Sequence, residues 1–117
     1  MSSPKPDGVV ELVAEFTALP GREEEVERLL LALTAEVRNE PGCLEFTPHR
    51  VAPAPAGAAV ATSPAPVGFR FVVTEAYRDR EAFAAHLAGP YGAVFNAALH
   101  PLIVEDRSAL TFLRRLG

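Results

Sequence analysis

One stretch of the sequence brings together side chains that could carry acid–base chemistry. The stretch VTEAYRDREAFAAHLAGPYGAVFN, residues 73–96, contains Glu75, Tyr77, His86, Tyr91 and Asn96. Glutamate and histidine act as general bases when their surroundings bring their pKa values near neutral pH. Tyrosine and asparagine can donate hydrogen bonds to an oxygen that develops negative charge. The stretch is therefore a candidate site of proton transfer.

The strand at the start of this stretch is expected to present four of its side chains on one side. Glu75 and Tyr77 alternate with Phe71 and Val73, and alternate residues of a strand share a face. As functional groups, Glu75 would be a base or an orienting group and Tyr77 a ring platform and hydrogen-bond donor. As structural groups, Glu75 would pair with an arginine at the sheet edge and Tyr77 would be a core residue with a solvated hydroxyl.

The following helices carry the other candidates. His86 lies three residues after Phe83, so both point toward the core, where His86 is either a proton carrier or a hydrogen-bonded structural group. Asn96 shares a helix side with His100. Arg50 could hold an anionic substrate or be a surface charge. The predicted catalytic residues are His86, Tyr77, Glu75 and Asn96, and the predicted substrate-binding residues are Phe46, Phe71, Val73, Tyr91, Phe95 and Arg50.

Composition excludes several classes of function. The formal net charge of −4 and the absence of a basic run predict that the protein has no nucleic-acid partner. No window approaches about 18 consecutive apolar residues, and the first residues lack a signal-peptide core, which favours a cytoplasmic protein without a membrane partner. The single cysteine and three histidines show no zinc-ligand spacing, so no metal site is expected.

Hydrophobic periodicity predicts one domain over residues 9–117, preceded by a disordered tail at residues 1–8. Strands are predicted at residues 9–18, 43–50, 69–77 and 107–116, and helices at 22–40, at 79–87 and as a short piece before Pro101. Pro48 would place the second strand at a sheet edge or a bulge. The Ala/Pro-rich residues 51–68 are predicted to form an exposed, partly mobile loop.

The order β-α-β-β-α-β is typical of a ferredoxin-like α+β sandwich. Helices cover only one face of such a sheet, yet the strand at residues 69–77 is apolar on both sides, with Val72 and Ala76 on the side away from Phe71. An uncovered apolar face favours packing against a second copy, sheet against sheet. The sequence therefore predicts a homodimer in the form of a dimeric α+β barrel.

With these segments in order, the chain resembles the antibiotic biosynthesis monooxygenase family. The resemblance is carried by PGREEEVERLL, EVRNEPGCLEFTPHR and TEAYRDREAFAAHLAGPYGAVFNA, and it covers about residues 9–103. It implies a dimeric α+β barrel with a small cavity between the helices and the sheet of each protomer. The activities it implies are oxidation of aromatic polyketides and quinols without metal or flavin, and haem degradation.

The haem-degrading members resemble one another in an Asn, a Trp and a His at places where this sequence has Ala14, Tyr77 and Asn96. The resemblance therefore predicts no haem and no other cofactor. It implies a cofactor-independent monooxygenase that uses molecular oxygen on a small phenolic, quinol or polyketide aromatic, with His86 as base and Tyr77 and Asn96 as donors. The alternative is a non-oxidative isomerase or a small-ligand-binding protein on the same barrel, and only the first consumes oxygen.

Overall fold

In a computed structural model, which describes residues 8–64 and 66–117, this part of the chain forms one four-stranded sheet and three α-helices. The elements are β1 (Val10–Thr17), α1 (Glu23–Val37), β2 (Cys43–Arg50), β3 (Arg70–Tyr77), α2 (Arg80–Ala88), α3 (Pro90–Leu99), a 3-10 turn (His100–Leu102) and β4 (Ala109–Leu113). This order confirms the predicted ferredoxin-like α+β fold. Apart from Gly8, the predicted disordered tail lies outside the described residues.

The sheet is antiparallel, with strand order β2-β3-β1-β4. β2 lies at one edge, as Pro48 predicts, and its register with β3 shifts between Cys43 and Glu45. β1 and β3 are central, and Leu12 of β1 lies opposite Glu75 of β3. The site-bearing strand is therefore held by hydrogen bonds on both of its sides.

Local sequence signals account for the helix boundaries. Three glutamates in the first turn of α1 complement the positive end of the helix dipole, and the helix stops before Pro41. The Asp79 side chain caps α2 by accepting a hydrogen bond of 2.8 Å from the Ala82 backbone N–H. Gly89 leaves the helical conformation and Pro90 opens α3 at its first position, so the two helices meet at a sharp break.

The core lies between helices α1 and α3 and one face of the sheet. Phe16, Phe71, Val73 and Leu99 are each at most 2% exposed, and together with Phe95 they belong to one continuous cluster of buried side chains. Along β1 and β3 the buried residues alternate with half-exposed ones, which shows that the helices cover one face only. The cavity described below lies on this covered side.

The uncovered face is more mixed than the predicted apolar surface. Val72 is half-buried there, but Arg70 forms an ion pair with Glu15, and Thr74 donates a hydrogen bond of 2.7 Å to Glu45. The charged side chains of Arg70, Glu15 and Glu45 therefore have partners within this face. Residues 51–64 and 66–68 are almost all exposed, in agreement with the predicted loop, whose partial mobility stays a prediction. None of the helices in the described ranges has the length and apolar character needed to span a bilayer.

Candidate active site

A cavity of about 370 Å³ lies between the covered face of the sheet and the helices. This volume falls at the lower end of the range of roughly 300–1,000 Å³ for small-molecule sites, which favours a small ligand. Its apolar lining comprises Leu12, Ala14, Phe16, Leu30, Leu33, Phe46, Val73, Phe83, Leu87, Ala93, Phe95 and Leu110. Its polar lining comprises Glu75, His86, Asn96, Arg107 and Ser108.

His86 is the basic side chain at the inner wall of the cavity. Its side chain is 14% exposed and lies among the rings of Phe46, Tyr77 and Phe83, with the Tyr77 centroid 4.9 Å away. The ring nitrogen Nδ1 is 3.1 Å from Glu40 Oε2, and Nε2 is 4.0 Å from Glu75 Oε1. The imidazole is therefore flanked by two carboxylates inside a mostly apolar pocket.

Glu75 is a buried acid on the sheet side of the cavity. It is 8% exposed and accepts a hydrogen bond of 2.7 Å from the Tyr77 hydroxyl, two residues along the same face of β3. Burial raises the pKa of the Glu75 carboxyl, while the Tyr77 hydrogen bond and His86 act in the opposite direction. Burial and the adjacent Glu75 carboxylate raise the pKa of the Tyr77 phenol, so Tyr77 stays a neutral donor.

Six of the ten predicted site residues line the cavity: Glu75, His86, Asn96, Phe46, Val73 and Phe95. Asn96 is exposed at the helical side of the cavity, and the roles assigned to all six stay predictions. The structural alternative for Glu75 was an ion pair with an arginine. Among the described residues, Glu75 instead accepts a hydrogen bond from the Tyr77 hydroxyl.

The other four predicted residues lie away from the cavity surface. Tyr77 is fully buried behind Glu75 and His86. Phe71 lies behind Phe16, with ring centroids 5.8 Å apart. The Tyr91 hydroxyl bonds to Glu40. Arg50 forms an ion pair of 2.8 Å with Glu27 and lies over the Phe71 ring.

The sequence did not single out three polar residues of the site: Arg107 and Ser108, which line the cavity, and Glu40, which contacts His86. Glu40 lies in the turn after α1, where it could be read as a solvated charge, and strands β2 and β3 with the loop between them separate it in sequence from His86 in α2. The sequence feature that could have indicated this contact is the turn Glu40-Pro41-Gly42, because Pro41 and Gly42 bring the chain close to α2. A Cβ on Gly42 would lie 2.3 Å from the Ala82 Cβ, so glycine permits this close approach.

The raised pKa of Glu75 gives a testable pH dependence of stability. A folded-state pKa above the ordinary glutamate value means that the folded protein binds the Glu75 proton more tightly than the unfolded chain does. The resulting contribution to the free energy of unfolding is complete below the ordinary glutamate pKa. This contribution is lost as the pH rises through the folded-state pKa. Glu75→Gln still accepts the Tyr77 hydrogen bond and does not titrate. We expect wild type to lose stability relative to this variant across that window.

The measurement is urea unfolding of both proteins at a series of pH values. Glu36→Gln, which removes an exposed carboxylate from the last turn of α1, is the matched control and should leave the pH dependence of wild type unchanged. Parallel stability curves for wild type and Glu75→Gln would contradict the assignment of a raised pKa.

Comparison with known proteins places this fold and cavity in a family. The family model for antibiotic biosynthesis monooxygenase matches residues 9–98. No curated protein sequence matches the chain. Within the described residues, no group of three or more histidine, cysteine, aspartate or glutamate side chains has the arrangement of a metal site.

Several solved structures share the fold along nearly the whole chain. A protein of Pseudomonas aeruginosa is 27% identical, with a TM-score of 0.73, and the match covers 94% of this chain and 96% of that one. A protein of Mycobacterium tuberculosis is 25% identical, with a TM-score of 0.73 and coverage of 93% and 96%. A Caulobacter crescentus protein, provisionally named an antibiotic biosynthesis monooxygenase, is 25% identical, with a TM-score of 0.73 and coverage of 94% and 92%. The chain therefore belongs to the antibiotic biosynthesis monooxygenase family.

Proposed function

We propose that the protein is a cofactor-independent monooxygenase that oxidises a small, electron-rich phenolic, quinol or polyketide aromatic with molecular oxygen. The observation that carries this proposal is the position of the His86 imidazole in the wall of an apolar cavity, beside the buried Glu75. Family membership and the name of the Caulobacter relative support a monooxygenase-like function. The aromatic substrate class and independence from a cofactor are part of the proposal.

The apolar lining suits a flat aromatic ligand. Phe16, Phe46, Phe83 and Phe95 surround the cavity, and aromatic rings bind one another in stacked or edge-to-face arrangements. Such a lining also excludes water, which strengthens electrostatic interactions inside the pocket. Asn96 lies on the wall where its amide could donate a hydrogen bond to an anionic oxygen of the substrate.

In the proposed reaction, His86 Nε2 takes a proton from an acidic O–H or C–H bond of the substrate, and the electron pair stays on the substrate. The resulting anion passes one electron to oxygen, and the substrate radical and superoxide combine to form a peroxide anion. His86 returns its proton to the peroxide, and loss of water leaves a carbonyl group. One oxygen atom enters the product and the other leaves as water, so the electrons balance without a further reductant.

The functional test is oxygen uptake by the purified protein with a panel of anthrone-like and naphthohydroquinone substrates, corrected for spontaneous oxidation. Saturable uptake above the blank is expected for at least one member of the panel. A ligand that binds or isomerises without consuming oxygen would instead favour the non-oxidative alternative.

We also propose that the protein is a homodimer. The half-buried Val13 and Val72 lie on the uncovered face of the sheet, and Leu113 of the edge strand β4 is 51% exposed on the same face. Exposed apolar side chains on an open sheet edge favour association. In sedimentation velocity at micromolar concentration we expect a species of twice the mass of the chain. A monomer throughout the accessible concentration range would contradict this proposal.

A further inference from the structure

The Glu40 carboxylate makes two contacts with side chains of the protein. Its Oε2 atom lies 3.1 Å from His86 Nδ1 and accepts a hydrogen bond from the Tyr91 hydroxyl. Its side chain is only 16% exposed. The backbone on both sides of Glu40 is also fixed, because its N–H bonds to the Val37 carbonyl at 2.9 Å and its carbonyl accepts from Cys43 N–H at 3.1 Å. The carboxylate is therefore held in place from α1, β2 and α3 together.

The contact with Glu40 favours a proton on Nδ1 of His86. An ionised carboxylate only accepts hydrogen bonds, so Nδ1 must be the N–H donor. A neutral imidazole has one N–H, which leaves Nε2 unprotonated and directed toward Glu75 in the cavity wall. Across the described ranges, Glu40 supplies the one hydrogen bond to either ring nitrogen of His86. The remaining neighbours, Phe46, Tyr77 and Phe83, contact the imidazole through their rings.

We propose that Glu40 is a positioning residue that holds His86 in the Nδ1–H tautomer, so that Nε2 is the proton acceptor for the substrate, and that Tyr91 holds Glu40 in turn. The inference rests on the proposed function. When the substrate O–H or C–H bond breaks, the N–H bond forms at Nε2 and the electron pair stays on the substrate. Glu40 keeps its own charge throughout. The imidazolium so formed lies between Glu40 and Glu75, and both carboxylates stabilise it.

The test is a direct measurement of the tautomer by long-range ¹H–¹⁵N NMR of the folded, ¹⁵N-labelled protein, with His86 assigned by comparison with His86→Gln. In wild type we expect a protonated Nδ1 and an unprotonated Nε2. In Glu40→Leu no side-chain oxygen remains to accept from Nδ1–H, so the population should move toward the Nε2–H tautomer. Glu36→Leu makes the same change at an exposed position and should leave the tautomer unchanged.

A second readout separates positioning from folding. Turnover of Glu40→Leu should fall about 10- to 100-fold, as part of the factor of roughly 10²–10⁴ that a placed general base contributes, while Tyr91→Phe should give a smaller change in the same direction. An Nε2–H tautomer in wild type would overturn the proposal, as would an unchanged tautomer in a folded Glu40→Leu. The wild-type spectrum decides this even if the variant does not fold. Failure of the proposed function would appear separately, as no oxygen uptake in wild type.

Discussion

Replacing His86 with glutamine is expected to lower oxygen-dependent turnover about 10²–10⁴-fold, the usual contribution of a placed general base. Glutamine has a similar reach and can still bond to Glu40, but it has no nitrogen that accepts a proton near neutral pH. The effect should fall mainly on kcat, because the apolar lining that binds the substrate is untouched. Initial rates of oxygen uptake, corrected for spontaneous oxidation, measure the loss.

The matched control for this experiment is His49→Gln. His49 is exposed on the edge strand β2, where Nδ1 lies 3.2 Å from the Val72 carbonyl oxygen, and it does not line the cavity. Its replacement should change the rate less than about twofold, since a surface substitution leaves the acid–base group in place. If both variants lost activity equally, or if His86→Gln kept wild-type turnover, His86 would not be the proton acceptor.

Replacing Phe16 with alanine is expected to destabilise the protein by about 3–5 kcal/mol, the range for truncating a buried phenylalanine. Phe16 is 2% exposed, stacks on Phe71 with centroids 5.8 Å apart and meets the edge of Phe95 at 6.4 Å. Its loss removes two ring contacts and enlarges a cavity that the side chain already borders. Surrounding groups can fill only part of the space, because β1 is held between two neighbouring strands.

Phe112→Ala provides the comparison for the same chemical change at an exposed position. Phe112 lies on the edge strand β4, is 57% exposed and contacts the Phe83 ring edge-on at 5.7 Å. We expect a loss of at most about 1 kcal/mol. The free energies come from urea unfolding of each variant at one protein concentration. Equal losses in the free energy of unfolding at the two positions would contradict a central place of Phe16 in the core.

Much of the fold follows from short-range sequence patterns. The alternation in β3 placed Glu75, Val73 and Phe71 on one face, and the buried pattern of that strand agrees. Pro48 marked the edge strand, because a residue without an N–H cannot donate to a neighbouring strand. Asp79 marked the start of α2 through its capping side chain. Each of these signals depends only on the neighbouring residues.

The arrangement of the site depended on contacts that such patterns do not contain. Glu40 meets His86 because the turn after α1 packs on α2, and nothing in the spacing of the two residues specifies this. Tyr77 shares a face with Glu75, yet its hydroxyl turns to the Glu75 carboxylate and leaves the ring behind the cavity wall. Tyr91 likewise turns to Glu40. The alternation of residues along a strand predicts which face of the sheet a side chain is on. Which of its atoms reach the cavity depends on the side chains packed around it.

The reaction proposed for this protein inserts oxygen from O₂ into a small aromatic, with the chain's own residues as the acid–base groups. The most direct measurement is mass spectrometry of the product formed under ¹⁸O₂ by protein freed of metals and flavins by chelation and dialysis, with His86→Gln beside it. We expect one ¹⁸O atom in the product and one in water, with formation lost in the variant. Product that carries oxygen only from solvent, or labelled product formed equally without the protein, would contradict it.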